Sequence, residues 1–333
     1  MKKFSGSRYA LLIVLLSASA VFLAVFSIAA GASSIGLGDV LKWITGRADV
    51  SAVTILRYAR LPRTVGCILV GSALSVSGLL LQTALGNPLA SPGVIGVNAG
   101  SGFFVVLAAA FFPSVFWIKG AAAFLGALTA AMTVYAIAKR TGASRITIVL
   151  AGVAVSGMLT ALIDAVTTLR PDSVMDKTEF YIGGFSSIQS HNLRLVLPVI
   201  LITIIFAQLF AGRLELLLLG DEVAGSLGLN VGRCRFFVVT AAALLAAGAV
   251  SIAGLIGFVG LMVPHIARQF VGGEIRRALP VTALLGVILT LFCDILARLI
   301  FAPFEIPAGI LLSLVGAPFF LYLVLTRRRR RYD

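Results

Sequence analysis

The chain has 333 residues, a mean hydropathy of +1.07 and only 12% charged residues. A soluble domain of this length would carry many more charges than the 13 acidic and 27 basic residues present here. The composition therefore excludes a soluble protein and indicates a polytopic helical membrane protein, for which transport, conduction, signalling and intramembrane catalysis are the possible functions.

The first apolar segment has features of a secretory signal peptide, because Lys2 and Lys3 precede it and Ala30-Gly31-Ala32 follows it. However, the apolar run extends from about residue 10 to residue 30, which exceeds the roughly 7–15 residues of a signal-peptide core. We therefore predict that this segment is a retained first transmembrane helix.

Apolar segments of similar length recur along the chain and predict an all-α, polytopic fold of about ten transmembrane helices in a single domain, residues 1–333. The predicted spans are residues 10–30, 64–84, 94–112, 118–138, 146–168, 193–212, 234–255, 257–270, 279–300 and 306–325.

Basic residues are unevenly distributed between the loops, and this predicts the orientation. An even number of spans places both termini on the side that carries most loop cations, which is predicted to be the cytoplasm. These cations are Lys139, Arg140, Arg145, Arg213, Arg233, Arg235, Arg276, Arg277 and Arg327 to Arg331. The net charge of +14 is thus interpreted as a topology signal, and the terminal arginines as a lipid-headgroup anchor rather than a nucleic-acid site.

The loop from Gly31 to Arg63 departs from this pattern, because it is predicted to lie outside yet carries Arg57, Arg60 and Arg63 next to a span. Cations at an external helix end are candidates for docking an acidic substrate or the carboxylates of a partner protein. Interfacial snorkelling is an equally good interpretation from composition alone.

Two stretches of the chain resemble each other, since residues 71–88 align with residues 247–264 with six identities in 18 positions. They are predicted to cross the membrane in opposite directions, as inverted repeats of transporters do. Each ends in a proline-containing interruption, Asn87-Pro88 or Pro264-His265, which we interpret as a candidate hinge. For Asn87-Pro88 a simple cytoplasmic turn is the alternative.

His265 is a weak candidate for a metal ligand or proton carrier, because no second ligand lies near it in the sequence. We expect it instead to hydrogen-bond a backbone carbonyl that Pro264 leaves free. The sequence predicts no metal site.

The loop of residues 217–230 is predicted to contain a short amphipathic helix on the cytoplasmic side. Asp221 and Glu222 suit a helix N-terminus after Gly220, and Gly225 and Gly228 permit close approach of another backbone. Such a helix suits a groove on a cytoplasmic partner. A helix lying on the bilayer is the alternative, but it would need basic residues where this one has acidic residues.

The ninth span carries Asp294 and Arg298 near its outer end, at a spacing that allows an ion pair. We expect Arg298 to open toward the same outer face as Arg60 and Arg63. A buried chain of carboxylates, as in an ion-coupled carrier, is not evident in the spans.

The sequence has no phosphate-binding loop of the G-x-x-x-x-G-K-[ST] type, because none of its lysines follows a glycine. The chain is therefore predicted not to be an enzyme, and any ATP hydrolysis would come from another subunit.

Several motifs, in this order along the chain, resemble the permease subunits of bacterial ABC importers for iron-siderophores, haem and cobalamin. They are Arg60-Leu61-Pro62-Arg63, the segment from Gln82 to Pro92 with Asn87-Pro88, Leu219-Gly220-Asp221-Glu222 with Ala224 and Leu227-Gly228, Gly257 to Leu261 with Pro264-His265, Asp294 to Arg298, and Glu305-Ile306-Pro307 before Gly316-Ala317-Pro318-Phe319.

The resemblance implies ten helices per subunit, a homo- or heterodimer of permeases around a pathway, two cytoplasmic ATPases that bind ATP and Mg²⁺, and an external substrate-binding protein. It implies that the ATPase receives the coupling segment, namely Gly220, Asp221, Glu222, Ala224, Leu227 and Gly228. It also implies that Arg60, Arg63 and Arg298 dock the binding protein, which favours docking over snorkelling.

The resemblance further implies that the fifth span, about residues 146–168, lines the pathway. On it, Gly152, Ser156 and Gly157 would allow close dimer packing or a smooth wall, and ordinary packing between helices is the alternative. We therefore expect a permease of the bacterial cytoplasmic membrane for a metal chelate, above all an Fe(III)-siderophore. Haem or cobalamin is the nearest alternative substrate. An ion-coupled secondary transporter and a non-transporting receptor are alternatives from other classes.

Overall fold

The computed structural model describes residues 6–30, 36–113, 115–140, 144–188, 190–300, 302 and 304–329, and every regular element in these ranges is helical. The predicted all-α fold is therefore confirmed. The α-helices are α1 (Gly6–Ala29), α2 (Leu37–Ile44), α3 (Val50–Ile55), α4 (Leu61–Ala84), α5 (Val97–Phe111), α6 (Phe116–Arg140), α7 (Arg145–Leu169), α8 (Val174–Ile182), α9 (Ser190–Leu209), α10 (Ala211–Leu218), α11 (Asp221–Ser226), α12 (Val231–Ala253), α13 (Val259–Val271), α14 (Ile275–Leu299) and α15 (Ala308–Arg329).

Each of the ten predicted spans contains one of these helices. Within the described residues, seven helical runs are long and apolar enough to cross a membrane. They are Gly6–Ala29, Val50–Ala84, Trp117–Arg140, Arg145–Leu169, Ser190–Leu209, Val231–Ala253 and Ile275–Leu299. The helix α5 and the apolar part of α15 (Ala308–Leu323) are shorter than these runs, and α13 has only 13 residues.

The centre of the bundle is formed by α4 and α12. The apolar windows of these helices are 89% and 72% buried within the protein, whereas only 11% of the window of α1 is buried. In a bilayer, the exposed apolar side chains of peripheral helices are available to lipid or to another subunit. The most buried helices are therefore the ones that hold the remaining helices in place.

Pairs of small residues bring the central helices into backbone contact. Gly71 of α4 lies against Gly286 of α14, and Gly78 of α4 lies against Gly260 of α13. A Cβ atom at any of these glycines would overlap a backbone atom of the opposite helix. Where lipid supplies no hydrophobic driving force between helices, such close packing is a main source of helix association.

The eighth predicted span departs from expectation, because its interruption lies before Pro264 rather than at it. Residues 254–258 are not helical, and α13 begins opposite Gly78, part of the way along α4. At 13 residues, α13 is about 20 Å long and too short to cross the hydrocarbon core alone. The non-helical backbone is satisfied inside the protein, since Leu255 N donates to Phe180 O (2.9 Å).

The two aligned stretches also end differently. Pro88 lies in a turn after α4 has ended, whereas Pro264 lies inside α13. A proline near the beginning of a helix removes only one intrahelical hydrogen bond, so the helix continues. The prediction that Pro264 interrupts its helix is therefore wrong.

We expect Gly78→Ala to lower the free energy of unfolding by about 1–3 kcal/mol, because the new methyl group forces α4 and α13 apart. The measurement is the thermal unfolding temperature in detergent, which should fall. Gly232→Ala in α12 is the matched control, since the nearest atom to its added Cβ is Asn230 Oδ1 at 3.8 Å. Equal unfolding temperatures for the two variants would contradict the close packing.

Candidate functional site

Two groups of charged residues lie at opposite ends of the long helices. The first, which we call the Asp294 cluster, consists of Arg60, Arg63, Asp294, Arg298 and Glu305. The second, the Asp221 cluster, consists of Arg145, Asp221 and Arg235. The cation distribution predicts that the first lies outside the membrane barrier and the second in the cytoplasm.

The Asp294 cluster is built around a carboxylate with no solvent exposure. Arg63 of α4 donates from Nε to Asp294 Oδ1 at 2.9 Å, and Arg298 Nη2 lies 3.1 Å from Asp294 Oδ2. The ion pair expected from the spacing of Asp294 and Arg298 is therefore present. Arg63, which is remote in sequence, provides the carboxylate with a second cation.

Arg63 also connects the buried carboxylate to the protein surface. Its Nη1 donates to Glu305 Oε2 at 2.6 Å, and the Glu305 side chain is 35% exposed. The Arg63 side chain itself is only 12% exposed. This arginine is thus held between one internal and one accessible acidic group.

Arg60 and Arg298 bind the C-terminal end of α1. Arg60 Nη1 donates to Ile28 O and Ala29 O, each at 2.8 Å. Arg298 Nη1 donates to Ala30 O at 2.8 Å. The last carbonyls of a helix have no intrahelical donor and carry the negative end of its dipole. The two guanidinium groups provide these carbonyls with both hydrogen-bond donors and positive charge.

The expectation that the Arg60 and Arg298 side chains open outward is wrong, because these residues are 5% and 3% exposed. Their position at a helix end suggested accessibility, but it gave no indication that α1 carbonyls would face them. Arg57, which precedes Arg60 in a π-helical turn (Leu56–Arg60), is exposed. Docking of a partner protein by Arg60, Arg63 and Arg298 stays a prediction.

The Asp221 cluster joins the predicted coupling segment to the bundle. Arg235 Nη2 donates to both carboxylate oxygens of Asp221, at 2.7 and 2.9 Å, and Arg145 Nη2 donates to Oδ1 at 3.1 Å. Arg235 is 3% exposed, and its Nε donates to Ala84 O at 3.2 Å. One carboxylate thus connects α11 with α7, α12 and, through Arg235, the end of α4.

The hydrogen bond from Arg235 is the main cause that holds the pKa of Asp221 below its ordinary value. A lowered carboxyl pKa means that the pairing stabilises the fold above the unfolded-state pKa and is lost only as the pH falls through the lower, folded-state value. The Asp221 carboxylate therefore remains ionised at neutral and mildly acidic pH.

The remaining coupling residues form a short exposed helix between two glycines. The predicted helix after Gly220 is present as α11, and both Gly220 (φ +98°) and Gly228 (φ +84°) adopt a left-handed backbone that favours glycine. Glu222 and Leu227 are exposed, and Ala224 is fully buried. Within the part of the chain that the structure describes, no atom outside the adjacent backbone lies within 4 Å of a Cβ added at Gly225.

The predicted hinge residues occupy different settings. Asn87 Oδ1 accepts from Leu89 N at 2.9 Å, which is a tight turn of the kind asparagine favours. Pro264 is buried within α13, and the ring of His265 packs edge-on against Phe319 of α15, with 6.2 Å between ring centroids. Asn87-Pro88 therefore matches the simpler alternative, a turn.

The Gln82 side chain of α4 lies beside the backbone carbonyl that Pro264 leaves without a donor. Because Pro264 has no N–H, the carbonyl of Gly260 lacks its usual donor, and Gln82 Nε2 lies 3.4 Å from it and 3.3 Å from Leu261 O. Arg268 Nη1 donates to Gln82 Oε1 at 2.6 Å. Sequence reasoning assigned a freed carbonyl to His265 and did not identify Gln82, although Gln82 lies in one of the quoted motifs.

Gly152 and Ser156 of α7 do not lie on an open wall of this chain. A Cβ at Gly152 would overlap Val94 O of the 3₁₀ turn (Pro92–Ile95), and Ser156 is half-buried near Gly96. The exposed face of α7 instead carries Gly157, with Leu150, Val153, Met158 and Leu162 on the same helix. The expected smooth wall is therefore wrong for Gly152, which packs against its own chain.

A cavity of about 650 Å³ lies between α5, α6, α8, α9 and α12. Its lining includes Lys119, which pairs with Asp176, together with Glu179 and Asn192. The sequence gave no signal for this cavity, because its walls come from five helices and the loops beside them, which are far apart along the chain.

We expect Asp294→Asn to destabilise the protein by about 3–5 kcal/mol, because the buried Arg298 would lose its counter-charge. The measurement is the thermal unfolding temperature of the purified protein, with the exposed Asp49→Asn as the matched control. An unfolding temperature of Asp294→Asn equal to that of the control would show that the cluster contributes little to stability.

Named relatives are similar to the chain over nearly its whole length. It is 39% identical over 325 residues to the ferric enterobactin transport system permease protein FepD of Escherichia coli, covering 96% of this chain and 95% of that protein. It is 36% identical over 322 residues to the Fe(3+)-citrate import system permease protein YfmD of Bacillus subtilis (97% and 96% covered). It is 35% identical over 278 residues to the hemin transport system permease protein HmuU of Yersinia pestis (82% and 83% covered).

The fold is also similar to a solved structure of a metal-chelate type ABC transporter in an inward-facing conformation. The TM-score is 0.83 at 29% sequence identity, with 94% of this chain and 98% of that chain covered. The model of the FecCD transport family matches residues 19–326. The chain belongs to the FecCD transport family.

Proposed function

We propose that this chain is the membrane-spanning permease subunit of an ATP-binding-cassette importer and forms the pathway for an Fe(III)-siderophore chelate. The observation that carries the proposal is the similarity, over nearly the whole chain, to permeases named for ferric enterobactin and Fe(3+)-citrate import. A helical bundle with an exposed, tethered helix at its predicted cytoplasmic end is consistent with this function.

The energy source is a pair of cytoplasmic ATPase subunits that bind ATP and Mg²⁺. The chain has no phosphate-binding loop of its own. The exposed Glu222 and Val223 of α11, together with Leu227 just beyond its end, provide a contact surface for such a subunit. The chain itself binds no cofactor in this proposal.

A second permease subunit completes the pathway. One face of α7 packs on α5 and α6, while its other face exposes apolar side chains along most of its length. Near the predicted outer end of this helix, Asp164 is paired with Lys177 of α8 at 2.9 Å. Because few charges lie on the exposed face, it suits either a dimer contact or a wall along which a chelate passes without binding tightly.

An extracytoplasmic binding protein delivers the chelate at the Asp294 cluster. The accessible group there is Glu305, which accepts from Arg63. We infer that an acidic residue of the binding protein competes with Glu305 for Arg63, while Arg60 and Arg298 keep α1 and α4 in position. In this proposed arrangement both termini and α11 lie in the cytoplasm of a bacterium, and the chain spans its inner membrane.

Haem is the second candidate substrate, and the similarity to the hemin permease of Yersinia pestis supports it specifically. Cobalamin has no such support among the named relatives described above. In the proposed arrangement the binding protein, rather than the chain, distinguishes between these substrates.

Cells that lack this chain should lose uptake of ⁵⁵Fe-labelled siderophore and regain it when the chain is restored. The measurement compares uptake of Fe(III)-siderophores, Fe(III)-citrate, haem and cobalamin in the same strains. Restoration of haem uptake alone would overturn the siderophore assignment, and restoration of none would overturn the import function.

Arg63→Gln should weaken binding of the extracytoplasmic protein about tenfold or more, since a charge-assisted interface contact is lost. Arg194→Gln, which changes an exposed arginine of α9, is the control. Binding is measured on detergent-purified complexes that still retain the ATPase, so that only folded protein is compared. Unchanged affinity in Arg63→Gln would contradict docking at this arginine.

A further inference from the structure

The coupling segment is attached to the bundle in an unusual way. Its helix α11 has six residues and lies between two glycines, Gly220 and Gly228, with left-handed backbone conformations. Among the described residues, no atom outside the adjoining backbone lies within 4 Å of a Cβ added at either glycine. Besides its backbone connections to α10 and α12, this short helix can transmit force through its side-chain contacts with the bundle.

Two contacts of this kind are evident. Ala224 is fully buried, and Asp221 forms ion pairs with Arg235 and Arg145. In the pairing with Arg235, the single nitrogen Nη2 donates to both carboxylate oxygens of Asp221. Such charge-assisted hydrogen bonds are directional as well as strong, whereas a buried methyl group can slide.

The two arginines lead to different parts of the bundle. Arg235 belongs to α12 and donates to the last carbonyl of α4, Ala84 O. Arg145 is the first residue of α7, and its guanidinium lies over Gly86 just beyond the end of α4, where any side chain would overlap it. The carboxylate of Asp221 is therefore the point at which the two central helices and α7 meet α11.

The position of Arg145 is unfavourable for α7 itself. A cation in the first turn opposes the positive end of the helix dipole and so destabilises the helix. Asp221, 3.1 Å away, provides the compensating charge. The arginine is thus explained by its contact with the coupling segment and not by the stability of its own helix.

We propose that the Asp221–Arg145 ion pair is the joint through which movement of α11 displaces the beginning of α7, while Asp221–Arg235 anchors the same carboxylate to α12 and α4. Asp221 and Arg145 are then positioning residues that act inside the permease, and the exposed Glu222, Val223 and Leu227 make the contact with the ATPase. The inference rests on the proposed function and adds the route by which ATP hydrolysis would reach the pathway.

The test uses the complete complex of permease, ATPase and binding protein, reconstituted in vesicles. Arg145→Gln removes the charge while Asp221 and Arg235 remain paired, and Arg145 is 33% exposed, so the variant should fold. We expect unchanged retention of the ATPase and continued ATP hydrolysis. The amount of chelate transported per ATP should fall by about fivefold or more, since about fivefold is the lower end of typical coupling effects.

Arg145→Lys keeps the charge and should recover part of the transported chelate per ATP. Arg140→Gln, at an exposed position at the same end of the bundle, is the matched control and should behave like the unchanged protein. Asp221→Asn breaks the joint from the other side and should reduce transport per ATP at least as much as Arg145→Gln.

Two results would overturn the joint. Unchanged transport per ATP in Arg145→Gln would show that the ion pair carries no movement, and loss of the ATPase from Arg145→Gln would show that the pair belongs to the docking surface instead. Failure of the unchanged chain to retain any ATPase is a different result, since it would refute the proposed function and not the joint alone.

Discussion

The structure depends on one constraint, which is that a bundle in hydrocarbon must satisfy its charges and free backbone groups from within. The Asp294 carboxylate has no exposure and is held by two guanidinium groups. Arg298 in turn binds the carbonyl end of α1, as Arg60 does. A peripheral helix is thereby fixed to the centre of the bundle by charge, although little of its apolar surface is buried.

The same constraint explains the interrupted region before α13. Its non-helical backbone is tolerated because Leu255 N donates a hydrogen bond to Phe180 O, and because the Gln82 amide lies near the carbonyl that Pro264 leaves without a donor. Close glycine contacts then bring α4, α13 and α14 near enough for such short side chains to reach. Polar groups and small residues therefore act together, because each pairing requires backbones at close distance.

Hydropathy and loop charge predicted the helical class, the approximate positions of the helices and the short helix after Gly220, because these properties are local in sequence. The pairing of Asp294 with Arg298 was likewise evident from their spacing. The contact of Arg63 with Asp294 was not, since these residues are 231 positions apart. Burial of Arg60 and Gly152 was missed for the same reason: each is determined by a neighbouring element that local patterns do not identify.

In the proposed function, the chain is a passive conduit that a separate ATPase drives. The most direct measurement is uptake of labelled Fe(III)-siderophore by proteoliposomes that contain the chain with its ATPase and binding protein, with either ATP in the ATPase compartment or an ion gradient as the only energy source. The account predicts uptake that requires ATP and the ATPase and does not respond to the gradient. Uptake by the chain alone, driven by the ion gradient, would contradict it.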